Sequence, residues 1–594
     1  MSKHLFGINF LAFFVRGLIV LLFSLGALLI AMGILFFLFP RYSFHTLIIP
    51  LANIFSQTGH LREMSTVEFL YREWTSFGIY MIIALGLMLI SFASVWYCLE
   101  KEGKKEVSLI ESTIDKTQQG NSYIYTITLI TIIIVGIILR IINLNQSLWG
   151  DEIGTVTQFI KPFKFWRYLE LGDHWLYSFL GFLSIKLFGE SEVVIRLPAF
   201  TLGIAAIPVM YYVVKDFFSQ EEGLLASGLL CVSVFHIRYS NDARGYSTLA
   251  LLALVSSFLF LRIILNRNPV KRQKECLLFG VFTTLGLLTH FYYIWVLLAQ
   301  YLTILTIFLV ERLTRKKAIG LRGYGSGLLT VMVTAVLTAC IIYGPSFIPA
   351  VIKKYLFWKG IGEPISLKFV GHFFVGAATT NLWGFIFTAL VLYSLVDLWR
   401  KQNKILAIYL IFLVGLPLVI VRIICKASQI NYFIYALPFL LIALAHSMVI
   451  FARRFSTFFR YIILSALVIT FISIQLPALL FYYQHYKAGA EDYRAVGQLI
   501  DKLAKKEDII CSIGIGNEHP QYYIKKHEVR YLNELEFSRQ VELGKSRIWL
   551  VVTYPDFLHL YQESRSIYEL ARKRLKLVGY FPGAFSDLLV YVNR

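Results

Sequence analysis

The run YIYTITLITIIIVGIILRII, residues 123–142, carries one charge in twenty residues, Arg140 near its end. Twenty helical residues rise about 30 Å, the thickness of a bilayer's hydrocarbon core. Such runs recur near 9–39, 77–98, 122–142, 193–215, 223–240, 246–265, 276–291, 293–312, 327–348, 382–399, 404–424, 432–451 and 458–482. They predict an α-helical polytopic membrane protein with about thirteen spans. The first is too long for the 7 to 15 apolar residues of a signal peptide, so it reads as a retained span. With 57% hydrophobic and 16% charged residues, a soluble enzyme is excluded.

The formal charge of +21 would suggest nucleic acid in a soluble chain. Here the basic residues sit between spans, where they set orientation and meet lipid head groups, so no nucleic-acid partner is expected. Clusters at Arg267/Lys271/Arg272/Lys274, Arg312/Arg315/Lys316/Lys317, Arg400/Lys401/Lys404 and Arg453/Arg454/Arg460 all fall inside if the N-terminus is cytoplasmic. Everything between 143 and 192, and everything after 483, then lies outside the cytoplasmic membrane. The stretch GDHWLYSFLGFLSIKLFG, 172–189, is short and carries Asp173, His174 and Lys186, each costly in lipid. Residues 160–189 therefore read as interfacial helices on the outer face.

Three regions follow. Residues 1–121 are a two-span extension with an external loop, and 122–483 form the main membrane domain. Residues 484–594, where charge rises and helical and strand-like patterns alternate, form a small extracytoplasmic α/β domain. Within it GIGNEH has His519 where a dinucleotide-binding loop needs a third glycine, so a plain strand-to-helix turn is expected. The six cysteines are scattered without a CxxC pair, and neither a zinc site nor a disulfide framework is encoded. No metal ligands and no cofactor are indicated.

Chemistry concentrates in the outer loops. SLWGDEIGT places Asp151 and Glu152 at the mouth of a span, and either acid could cap the next helix. However, Asp173 and His174 return to the same face, with Arg196 in VVIRLPA and Asp242, Arg244 and Tyr246 in HIRYSNDARGYS. Together they supply a carboxylate base and cations for an anionic leaving group. An external site has little access to cytoplasmic nucleotide sugars, so a donor arriving through the membrane would be lipid-linked. A transporter or flippase of lipid-linked sugars is the alternative, but it would place charges near the bilayer midplane rather than at helix ends.

The ordered set SLWGDE, DHWLY, LFGESEVVIRLPA and HIRYSNDARGYS, over residues 140–265, resembles the bacterial branch of the protein O-mannosyltransferase-like glycosyltransferases. These are C-type membrane transferases, with lipid A aminoarabinose transferases among their relatives. The likeness continues through NYFIYALPFL, with Tyr432, and the EDYRAV opening of the last domain. It implies Asp151 as catalytic base and an inverting single displacement from a polyprenyl-phosphate donor. One hexosyl or pentosyl unit would pass to a glycan, lipid or protein acceptor. Glu152 would orient the acceptor or the loop, while Arg196 and Arg244 would meet the departing phosphate. His174, Asp242, Tyr246 and Tyr432 complete the expected substrate-binding set. The chain departs from the family pattern at Trp175, where proline is common, and at Asn431, where arginine often precedes the tyrosine; Arg422 and Lys426 are the alternative cations there.

Overall fold

The computed structural model describes residues 122–163, 173–265, 269–314, 363–376, 380–401, 403–424, 427–485 and 491–593, apart from 515, 545, 561 and 584–586; between 315 and 362 it describes 328, 332 and 333. The expected extension 1–121 lies outside the described residues.

Helices dominate the first part of the chain. They are α1 (Ser122–Ile141), α2 (Gly150–Thr155), α3 (Trp175–Phe188), α4 (Glu192–Phe217), α5 (Gln220–Val232), α6 (Val234–Ser240), α7 (Tyr246–Leu265), α8 (Pro269–Thr289) and α9 (Ile294–Thr314). After a two-residue strand β1 (Glu363–Pro364) come α10 (Leu367–Val375), α11 (Asn381–Arg400), α12 (Lys404–Leu410) and α13 (Leu416–Ile424). Strand β2 (Ala427–Ser428) pairs antiparallel with β1, and α14 (Leu437–Ala452) and α15 (Thr457–His485) follow. Serine hydroxyls start several of these helices: Ser191 accepts the Val194 N–H at 3.3 Å and Ser219 the Glu222 N–H at 3.2 Å.

Among the described residues eight helices are long and apolar enough to span, and a bent pair makes a ninth. The expected thirteen differ from this for identifiable reasons. Helix α8 has the length, but Lys271, Arg272, Lys274 and Glu275 in its first turns lower its apolarity. The expected spans 9–39 and 77–98, and nearly all of 327–348, lie outside the described residues. The expected straight span 223–240 is α5 and α6 meeting at 63°. Buried Arg140 lies at that bend, donating to the Leu230 and Cys231 carbonyls at 3.4 and 3.1 Å and to His236 Nδ1 at 2.8 Å. The 14 residues of α3 are too few to cross, and it packs on α4 instead.

Helix ends gather at two poles. At one, His446 on α14 bridges Glu222 of α5 (2.8 Å) and Asp397 of α11 (3.1 Å), while Arg453 and Arg460 pair with Glu221. At the other, α2, the starts of α4 and α7 and the end of α8 converge with the segment after α15.

That last segment folds as α16 (Tyr493–Leu503), β3 (Ile509–Gly514), β4 (Val529–Arg530), α17 (Glu534–Leu543), β5 (Ile548–Thr553), α18 (Gln562–Arg574), β6 (Lys576–Phe581) and β7 (Leu588–Val592). The sheet order is β4-β3-β5-β7-β6, with β3, β4 and β5 parallel and β7 antiparallel to both neighbours. Leu550, Val552, Leu589 and Tyr591 line one sheet face and pack with Phe537, Ile567 and Ala571 from α17 and α18. The other face, with Ile510, Trp549 and Val551, joins α16 in a core that runs on into Leu148, Ile153, Val156 and Ile195. The segment shares apolar packing with the loop that carries Asp151.

Candidate active site

Helix α2 presents its two acids in opposite directions. Asp151 is about half exposed, with 52% of its side chain accessible, whereas Glu152 is fully buried. Oε2 of Glu152 accepts the Trp149 N–H at 3.2 Å, tying the carboxylate back to the first turn of α2. Its Oε1 accepts the Ala243 N–H at 2.6 Å and Arg196 Nε at 2.8 Å, and Arg196 Nη2 pairs with Oε2.

Arg196 is equally buried. Its remaining donors go to the carbonyls of Leu144 (3.1 Å), Gln146 (2.7 Å) and Ser147 (3.0 Å). With all five N–H groups of the guanidinium engaged, no donor remains for a phosphate. The expectation that Arg196 meets the leaving group is therefore corrected: it ties the turn before α2 to α4. Glu152, expected beside the acceptor or the loop, holds the loop.

Arg244 is different. One Nη pairs with Asp151, its plane lies 5.1 Å from the Tyr246 ring, and its buried Nε has no partner among the described residues. Unlike that of Arg196, its guanidinium is not fully committed to protein acceptors among the described residues. Asp242 accepts the Trp149 indole N–H at 3.3 Å, and burial with Glu152 nearby pushes its carboxyl up to about 7. It braces Trp149 rather than facing solvent.

Around Arg244 lies a wall of rings. His174, nearly fully buried, donates from Nδ1 to the Thr289 carbonyl at 3.1 Å, which fixes its tautomer. Its ring is 5.1 Å from Tyr246 and 4.9 Å from His290, and His290 is 5.5 Å from Tyr432. Asn431 donates to the Tyr246 hydroxyl at 2.8 Å, so the residue in the family's arginine position holds a ring in place. Asp151, Arg244, His174, Tyr246 and Tyr432 are thereby assembled from segments up to 281 residues apart. Sequence reading missed His290, which it left within the expected span 276–291, and the groups of the last segment taken up below. Among the described residues no three His, Cys, Asp or Glu side chains gather as a metal site.

Residues 175–341 match the family model for dolichyl-phosphate-mannose-protein mannosyltransferase. No curated protein matches the sequence. Among solved structures, apo ArnT from Cupriavidus metallidurans is similar with 13% identity and a TM-score of 0.50, over 80% of this chain and 99% of that one. Archaeal oligosaccharyltransferase AglB from Archaeoglobus fulgidus, solved with an inhibitory peptide and a dolichol-phosphate, shows 11% identity and a TM-score of 0.50, over 80% and 75%. The family match over residues 175–341 and the fold agree with the resemblance read from the motifs, and the bacterial-branch likeness fits the similarity to ArnT.

Proposed function

We propose that this protein is an inverting glycosyltransferase that moves a single sugar from a polyprenyl-phosphate-linked donor to an acceptor outside the cytoplasmic membrane. The observation that carries this reading is the half-exposed Asp151 carboxylate paired with the otherwise buried Arg244 at the mouth of the spans. The dolichyl-phosphate-mannose family match and the dolichol-phosphate held by AglB support a lipid-phosphate donor.

An acceptor hydroxyl approaches from the solvent side of Asp151. Its proton passes to the carboxylate as its oxygen bonds to the anomeric carbon. The bond from that carbon to the phosphate oxygen breaks on the opposite side, its electron pair leaving with the polyprenyl phosphate. A positioned base of this kind contributes typically 10²–10⁴-fold. Arg244 links the two events. While it pairs with Asp151 it weakens the base; drawn towards a donor phosphate, it releases the carboxylate and meets the charge that develops on the leaving group. The rings of His174, Tyr246, His290 and Tyr432 offer faces to the sugar and the first isoprene unit.

The test uses purified full-length protein, a polyprenyl-phosphate donor labelled in its sugar, and envelope fractions as acceptor. Label should leave the lipid, with one polyprenyl phosphate released per sugar transferred. Label that stays on the lipid under all acceptors contradicts the reading.

A further inference from the structure

The catalytic loop is held from the solvent side as well as by the spans. Glu491, fully buried, accepts the Gly150 N–H on Oε2 at 2.9 Å, and Gly150 is bonded to Asp151. A β-carbon at Gly150 would stand 3.2 Å from that oxygen and 3.0 Å from His519 Nδ1. One turn on, a β-carbon at Gly154 would stand 3.7 Å from His519 Nε2. Glycine at 150 lets two groups from the last segment close on α2.

The backbone that delivers those groups is unusual. Gly514 and Gly516 have φ of 103° and 64°; a β-carbon would stand 1.9 Å from the Thr553 carbonyl at the first and 2.3 Å from the His519 ring at the second. Tyr554, with φ of 52°, is the one non-glycine in the left-handed region among the described residues, and its hydroxyl hydrogen-bonds Glu491. A non-glycine held in that region is strained, and such residues collect at functional sites. Gly514 ends β3, and Gly516 and Tyr554 lie just beyond β3 and β5, at the carboxyl ends of parallel strands, where open α/β sheets place their ligands. Here that edge receives α2. Burial, with Asp151 and Glu152 nearby, pushes the Glu491 carboxyl up to about 7. A third carboxyl among two others is a costly choice for packing alone.

We propose that Glu491 is a positioning residue of the active site: by accepting the Gly150 N–H it sets the orientation of Asp151, which makes the C-terminal domain part of the catalytic centre. This rests on the reading of Asp151 as the base. The test uses the full-length protein with Glu491→Ala, Glu491→Gln and Gly150→Ala. Glu491→Ala should lower kcat by 10-fold or more with donor KM within about 2-fold. Glu491→Gln, whose carbonyl still accepts the N–H, should recover most of that loss. Hydrogen–deuterium exchange over 149–156 should quicken in the alanine variant and stay near wild type in the glutamine variant. If Glu491→Ala does not fold, Gly150→Ala carries the test, since its β-carbon presses on the same two groups and should lower kcat with KM unchanged. Wild-type kcat in Glu491→Ala, unchanged exchange, or equal losses in the alanine and glutamine variants would overturn the proposal. Exchange reads the contact without turnover, so a wild-type protein that shows the contact and transfers no sugar refutes the function itself, and not the geometry.

Discussion

The two neighbouring acids of α2 should respond to mutation in opposite ways. Glu152 shares full burial with Arg196, so Glu152→Gln leaves a buried guanidinium without its counter-charge, a loss of roughly 3–5 kcal/mol. Thermal stability in detergent should drop sharply, and any fall in turnover should track the loss of folded protein. The amide's retained hydrogen-bonding capacity does not make this a mild substitution. Acidity supplies a second test. Folding raises the carboxyl pKa of both Asp242 and Glu491 to about 7. A raised pKa means the folded state binds the proton more tightly, so the stability is full below about pH 4 and is lost as pH rises towards 7. Melting temperature should therefore fall between pH 4.5 and 7.5, and Asp242→Asn should reduce that slope while Glu491 maintains the rest. A profile unchanged by Asp242→Asn contradicts the buried-acid account. Asp151 and Arg244 were legible as chemistry because charge at a span's mouth is conspicuous. The bond of Glu152 to Arg196, 44 positions on, was not, because adjacency in sequence says nothing about which acid turns inward.

Apolar runs are a local signal, which is why most elements were legible from sequence alone. Their irregularities were less so. Residues 223–240 read as one span, and the break at Ser233 has no proline or glycine to announce it. It is maintained by Arg140, a residue about 90 positions earlier whose guanidinium takes up carbonyls that the bend leaves free. Arg140→Leu should leave those acceptors unpaired at about 1–3 kcal/mol each. Thermal unfolding should occur several degrees lower, with the α6 end and Asp242 disturbed in turn. A wild-type melting temperature in Arg140→Leu would show that the bend is held by other contacts. The α/β pattern after residue 490 was visible in its alternation. That its strand ends press on α2 was invisible, since Glu491 and Gly150 lie 341 positions apart.

For the molecule as a whole, the poles are the organising fact: one carries Asp151, Arg244 and the last segment, the other the basic and acidic groups around His446. The orientation expected from the positive-inside bias puts the second pole on the cytoplasmic side. A single cysteine at the exposed Thr157, in a background lacking the six native cysteines, should then react with an impermeant thiol reagent on intact cells. Labelling only after membranes are opened would invert the orientation and with it the lipid-donor route. The most direct test of the account is the turnover of full-length protein carrying Asp151→Asn, measured beside its melting temperature. Asparagine keeps the size and most hydrogen bonds of aspartate but cannot take up the acceptor's proton. The account predicts a folded protein, moderately less stable because Arg244 loses its partner, with turnover per folded molecule reduced by about 10²–10⁴-fold. Turnover near wild type in a folded Asp151→Asn protein would contradict it and leave Asp151 as an acid that favours the first turn of α2.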